Sequence, residues 1–244
     1  MQLALELGDS PFILTVPHDG HLSIGTTVRK EYAQWITEGY DPRDIGTTEC
    51  VRQCRARLSE LGQTPTVLRM LCSRSQVDVN RDPERQPLAC VTDVVQLAAY
   101  KSFHEILAEL IRATLTKHGH CLLVDVHSFR YDRWQELDVI LGTKAGRTCS
   151  PEWTRELRSL LAQVKHPFFE RTLGVAESPD EEQGIGWGLS GGYVVRRAAE
   201  CFQCERDEGR FGALQLECRR QTLETDFAEV IGRGLAEALV KLSL

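Results

Sequence analysis

The sequence has no apolar run approaching the roughly 20 residues needed to span a bilayer, which argues against a membrane role. It also lacks an excess of basic residues: 29 Lys and Arg stand against 35 Asp and Glu, for a formal charge of −6. Holding a polyanion through many phosphate contacts requires clustered cations, so nucleic acid is not an expected partner. The opening Met1-Gln2-Leu3-Ala4-Leu5-Glu6 lacks the basic region and long apolar stretch of a secretory signal, and the cytoplasm is the expected location. No repeat, low-complexity tract or Pro/Gly/Ser linker divides the 244 residues. One α/β domain of that length buries a substantial core, so residues 1–244 are expected to form a single domain. A disulfide framework is not expected either, because the nine cysteines are odd in number and scattered. Cys201-Phe202-Gln203-Cys204 has no second pair of similar spacing to complete a structural zinc site and reads as incidental, with a redox or metal role as the alternative.

What the sequence does contain is an alternation of apolar strands and amphipathic helices. Strands are predicted over Phe12–Val16, Thr64–Leu71, Cys121–Val126 and Val139–Leu141, with Gly192–Arg196 and Ala213–Leu216 as later ones. Helices are predicted over Thr47–Leu61, Val94–Lys117, Pro151–Val164 and Thr222–Leu242, the third with proline at its start. Such alternation predicts a three-layer α/β/α fold, a mixed, mostly parallel sheet with helices on both faces.

In open sheets of this kind ligands gather where strands end. His18 follows the first strand through Pro17, Asn80 and Arg81 follow Val77-Asp78-Val79, His127 ends the central strand, and Glu217 ends the last one. In Pro17-His18-Asp19-Gly20, a histidine after a buried strand can offer neutral imidazole to a metal, and Gly20 permits a sharp turn. In Asp125-Val126-His127-Ser128 the period of two puts Asp125 and His127 on one side of the strand, where Asp125 can orient the imidazole. Two histidines do not close a catalytic zinc site, which usually takes three protein ligands. Asp41, Asp44 and Glu49 are candidates, together with Asp19 and His21. Asp44 also reads as a helix N-cap, and spacing does not separate the two roles. Arg74 can polarise a carbonyl, and Arg81 with Asn80 can take a carboxylate, unless these arginines serve a surface ion-pair network. Glu217 can move protons beside a metal-activated water. Gly191 and Gly192 allow close approach of backbone to substrate, a turn being the simpler account. The stretch 177–188 reads as a solvated surface loop, with a mobile lid as the alternative.

Taken in order, Pro17-His18-Asp19-Gly20, Arg43-Asp44, Ser73-Arg74, Val77-Asp78-Val79-Asn80-Arg81, Asp125-Val126-His127-Ser128, Gly191-Gly192-Tyr193 and Gln215-Leu216-Glu217 resemble the N-formylglutamate amidohydrolase family over residues 10 to 225. The pattern is also similar to the wider zinc carboxypeptidase and aspartoacylase-like superfamily. The resemblance implies a phosphorylase/hydrolase-like α/β/α fold and a zinc-dependent attack of water on the amide of a small acidic N-acyl amino acid. It implies His18, Asp44 and His127 as metal ligands, Glu217 as general acid/base and Arg74 as the carbonyl-polarising group. Asn80 and Arg81 would be the carboxylate clamp. The chain departs from it at Asp19, where the family often has Ser or Ala, at His21, where carboxypeptidases carry a ligand Glu, and after Glu217, where a common Tyr is missing. A carboxypeptidase-type peptidase or amidase is the alternative reading, and a metal-free binding protein on the same fold a further one.

Overall fold

The computed structural model describes residues 2–24, 28–84, 93–130, 136–166, 168–178, 189–223 and 227–242. Its seven strands are β1 (Leu3–Glu6), β2 (Phe12–Val16), β3 (Thr66–Met70), β4 (Cys121–Phe129), β5 (Val139–Gly142), β6 (Val175–Glu177) and β7 (Phe211–Arg219). They form one sheet in the order β1-β3-β2-β4-β7-β5-β6. The four central strands are mutually parallel, while β1 runs antiparallel to β3 and β5 antiparallel to β7. The α/β class and the mixed, mostly parallel sheet are as expected from the alternation.

The described helices are α1 (Lys30–Thr37), α2 (Thr47–Glu60), α3 (Val94–His118), α4 (Pro151–Leu161), α5 (Tyr193–Cys201), α6 (Gln203–Asp207), α7 (Arg220–Leu223) and α8 (Phe227–Lys241). Two apolar clusters show why the sheet is covered on both faces. Leu14, Leu122, Val124 and Leu214 point to one side and pack with residues of α2, α4 and α8. Ile13, Leu68, Leu123 and Ala213 point to the other and pack with α3 and α5. Neighbours in sequence thus divide between the clusters, as the period-two pleat requires, and the central strands are buried on both faces.

The structure departs from the expectations in two places. Residues 192–196 are not a strand: Gly192 caps α5, whose buried positions Val194, Val195, Ala198 and Ala199 repeat at helical spacing. The paired valines mimic a strand, and only the alanines four residues on reveal the helix. Val77-Asp78-Val79 is not a strand either. It lies in a turn region, with both valines buried in the second cluster as apolar anchors. The short elements β1, α1, β6 and α6 are additional to the elements expected, and the helix expected over Thr222–Leu242 corresponds to α7 and α8, with residues 224–226 outside the described residues. Of the loop expected over 177–188, residues 179–188 lie outside the described residues, so no lid is described.

Candidate metal centre and active site

Because β2, β4 and β7 are parallel, their C-terminal ends meet at one edge of the sheet. His18 follows β2 there, His127 lies on β4, and Glu217 on β7 is its register partner. Asp44 joins them from the loop before α2, tied by its backbone N–H to the His18 carbonyl at 3.0 Å. All four side chains are buried.

His18 Nδ1 lies 3.3 Å and His127 Nδ1 3.0 Å from the same oxygen, Asp44 Oδ2. Each imidazole has its other nitrogen on a second carboxylate: His18 Nε2 donates to Asp78 Oδ1 at 2.7 Å and His127 Nε2 to Asp125 Oδ2 at 2.8 Å. Ionised carboxylates only accept, so Nε2 of each ring carries a proton, and a metal in the centre would take the Nδ1 lone pairs in place of the Nδ1 contacts to Asp44. Donor atoms of His18, Asp44 and His127 lie within 4.8 Å of one another. Three inward donors with outer imidazole nitrogens anchored on carboxylates are a donor set suited to a divalent transition metal.

Both outer carboxylates have partners of their own. Thr15 donates to Asp125 Oδ1 at 2.5 Å. Asp78 receives the backbone N–H of Asn80 at 2.9 Å, the Tyr32 hydroxyl at 3.2 Å, and the fully buried Arg29 guanidinium at 3.0 Å. Burial opposes ionisation of Asp78 and Asp44, but the cations around them win and hold both carboxyls below the usual range; His18 and Arg74 act on Asp78, and Arg74, His127 and His18 on Asp44. For His127, burial favours the neutral ring, yet Asp125, Asp44 and Glu217 together raise its pKa to about 10 in the metal-free protein.

The other expected ligands are occupied elsewhere. Asp41 is paired with Arg43 at 2.6 Å, and Glu49 with Arg52 on α2 at 2.6 Å. His21 is exposed. The carboxylate that caps the start of α2 is Asp19, which accepts the Thr48 N–H at 2.9 Å, while the Asp44 carboxylate faces the histidines and Arg74. Gly20 fits where a Cβ would come within 2.4 Å of the Leu71 backbone, so the turn after His18 packs directly on the chain leaving β3.

Above the centre opens a pocket of about 450 Å³ whose walls include Arg74, Asn80, Arg81, His127, Gln215 and Glu217. Arg74 donates to Asp44 at 3.2 Å and to Asp78 at 3.3 Å, so it is both part of an ion-pair network and part of the pocket wall. Arg81 is the more open of the two, with its side chain 38% exposed. Asn80 is fixed by the N–H of Val194 at the start of α5, which donates to its Oδ1 at 3.0 Å. Gly191 (φ +112°) and Gly192 do not line the pocket among its described walls. A Cβ on Gly192 would lie 2.2 Å from the Asn80 amide, so this glycine makes room for Asn80. The Glu217 carboxyl is pushed up to about 7, by burial foremost, with His127 and Arg74 pulling the other way. Gln215 donates to its Oε1, and its Oε2 is buried without a hydrogen-bond partner among the described residues.

Asp78, Gln215 and Arg29 were not among the expected site residues. Gln215 was within reach, since the period of two that joins Asp125 to His127 also joins it to Glu217. Asp78 sits between two buried valines, a signal of a partnered buried charge. Nothing in the sequence marks Arg29.

Fold and site define an α/β protein with a buried His-Asp-His centre at the floor of a substrate-sized pocket. The fold is that of the N-formylglutamate amidohydrolase from Ralstonia eutropha, with a TM-score of 0.66 at 17% identity over 98% of this chain and 96% of that one. A gene product of Agrobacterium tumefaciens has it too, with 0.63 at 15% identity over 98% and 93%. No curated protein matches the sequence. The sequence model of the N-formylglutamate amidohydrolase family matches residues 10–223, and the chain belongs to that family of amidohydrolases.

Proposed function

We propose that the chain hydrolyses the amide bond of a small acidic N-acyl amino acid, N-formyl-L-glutamate foremost, with one zinc ion held by His18, Asp44 and His127. The observation that carries this reading is the convergence of both Nδ1 atoms on Asp44 beside Glu217 Oε2, which has no partner among the described residues. When bound there, the ion supplies Lewis acidity, lowering the pKa of water toward about 7 and polarising a carbonyl.

In this reading the substrate carboxylate pairs with Arg81, the more open cation of the pocket, beside Asn80. Arg74 keeps Nε and Nη1 on Asp78 and Asp44 and offers its remaining N–H groups to the carbonyl oxygen as negative charge develops there. Glu217 accepts a proton from the attacking water through Oε2 and delivers it to the leaving nitrogen as the C–N bond breaks. Formate and glutamate leave, and Glu217 is again ionised. Gly191 and Gly192 act through Asn80 and the start of α5 rather than by direct contact with substrate. No described helix is long and apolar enough to cross a membrane, and the eight described cysteines are free, which supports a reducing compartment such as the cytoplasm.

Glu217→Gln tests the role directly. The folded variant is expected to keep its zinc and lose at least about 100-fold in kcat, the lower range for a positioned acid/base. Wild-type turnover in that variant would remove Glu217 from the reaction.

A further inference from the structure

Gln215 is almost wholly buried within β7 and also reaches the pocket wall. Its amide is engaged at both ends. The backbone N–H of Gly192 donates to Oε1, and Nε2 donates to Glu217 Oε1. The orientation of the amide follows from the chemistry: a backbone N–H only donates, so the oxygen faces Gly192 and the NH₂ faces the carboxylate. One oxygen of Glu217 is thereby occupied, while Oε2 is buried with no partner among the described residues. A buried polar atom left without a protein partner calls for one, such as a water, an ion or a reacting group, and Oε2 of Glu217 lies at the wall of the pocket.

We infer that Gln215 is a positioning residue that ties Glu217 to the Gly191–Gly192 turn, holding Oε1 so that Oε2 alone faces the reacting atoms. The same turn places Asn80, since Gly192 packs against the Asn80 amide and Val194 donates to it. One structural unit, the turn and the start of α5, therefore sets both the acid/base and the wall that carries the carboxylate clamp. A substrate that draws Asn80 and Arg81 into place loads the same turn that orients Glu217. The inference rests on the reading of Glu217 as the group that moves the proton.

The test compares Gln215→Met, close in size but unable to form either bond, with Gln215→Asn, whose shorter amide cannot span both partners. Zinc-loaded enzyme is assayed with N-formyl-L-glutamate, alone and in the Glu217→Gln background. In both Gln215 variants kcat is expected to fall about 10–100-fold, the scale for a misplaced catalytic group, with KM changed by less than about threefold and zinc content kept. In the Glu217→Gln background the same changes are expected to remove less than about twofold more, because there is no acid/base left to orient. Amide hydrogen exchange at Gly192 is expected to quicken about tenfold or more in Gln215→Met and to stay as in wild type in Glu217→Gln. Unchanged kcat in either folded variant, loss confined to KM, an undiminished further loss in the Glu217→Gln background, or unchanged Gly192 exchange would overturn the inference. If the wild-type protein leaves N-formyl-L-glutamate intact, the substrate reading fails by itself, and Gly192 exchange still decides whether the bridge exists.

Discussion

Each imidazole of the centre is held from behind by a carboxylate, and each carboxylate is held in turn by a neutral or cationic donor. This arrangement fixes the tautomer and the ring direction, which a lone histidine on a strand end does not do. Asp125→Asn, which leaves an acceptor for Thr15 but weakens the grip on His127, is expected to lower zinc affinity about 10–100-fold, the usual effect of altering such a partner; competition with a chromophoric chelator measures it. Unchanged affinity would mean that Asp125 only fills the core. The sequence made Asp125 legible because the period of two applies to any strand. It left Asp44 open against Asp41 and His21, because choosing among them depends on which way the loop before α2 turns. That turn is set by contacts such as Asp44 N–H to the His18 carbonyl, between residues 26 positions apart. Arg29 was illegible for the same reason: its partner Asp78 is distant in sequence, and a buried arginine is not predicted from its neighbours.

At the scale of elements, the site depends on three parallel strands ending together and on the start of α5 closing one wall. The strand ends were readable from apolar runs followed by polar residues, and β2, β4 and β7 all lie where those runs are. The wall was not. Gly192–Arg196 has the β-branched composition of a strand, yet Asn80, contributed by a distant turn, occupies the N–H of Val194 and the space beside Gly192, and the chain enters a helix. Gly192→Ala is expected to push Asn80 aside, lowering kcat/KM about tenfold or more and costing about 1–3 kcal/mol of stability, the range for overpacking a close contact. Thermal or denaturant unfolding together with steady-state kinetics reads both. A variant with wild-type activity would show that Asn80 does not need this glycine.

For the whole molecule, two apolar clusters separated by the sheet carry the fold, and one polar ring sits inside the second of them. His104 on α3 packs against Tyr100, Phe103 and Tyr193 and donates through Nε2 to the Val79 carbonyl at 3.0 Å. Burial foremost, with Arg197 adding to it, lowers its pKa to about 3. Between about pH 6.5 and pH 3 the unfolded chain binds a proton here that the folded chain refuses, so the protein loses stability as pH falls through this window and keeps it above. His104→Gln, which retains a donor for Val79, is expected to flatten the slope of unfolding free energy between pH 6 and 4 by up to one proton, about 1.4 kcal/mol per pH unit. An identical slope in wild type and variant would place the acid sensitivity elsewhere.

The layering of the molecule was legible in sequence because hydrophobic periodicity repeats in every element. The strand order, with β7 inserted between β4 and β5, was not, since it arises only from pairing over long separations. That insertion sets Glu217 beside His127 and brings two distant motifs into one candidate site. The most direct measurement of that centre is formate release from N-formyl-L-glutamate by the purified protein, before chelation, after chelation, and after zinc is restored. Equal amounts of formate and glutamate, lost with the metal and recovered with it, are the predicted result; no formate from folded, zinc-loaded protein, or release that chelation leaves unchanged, would contradict the account.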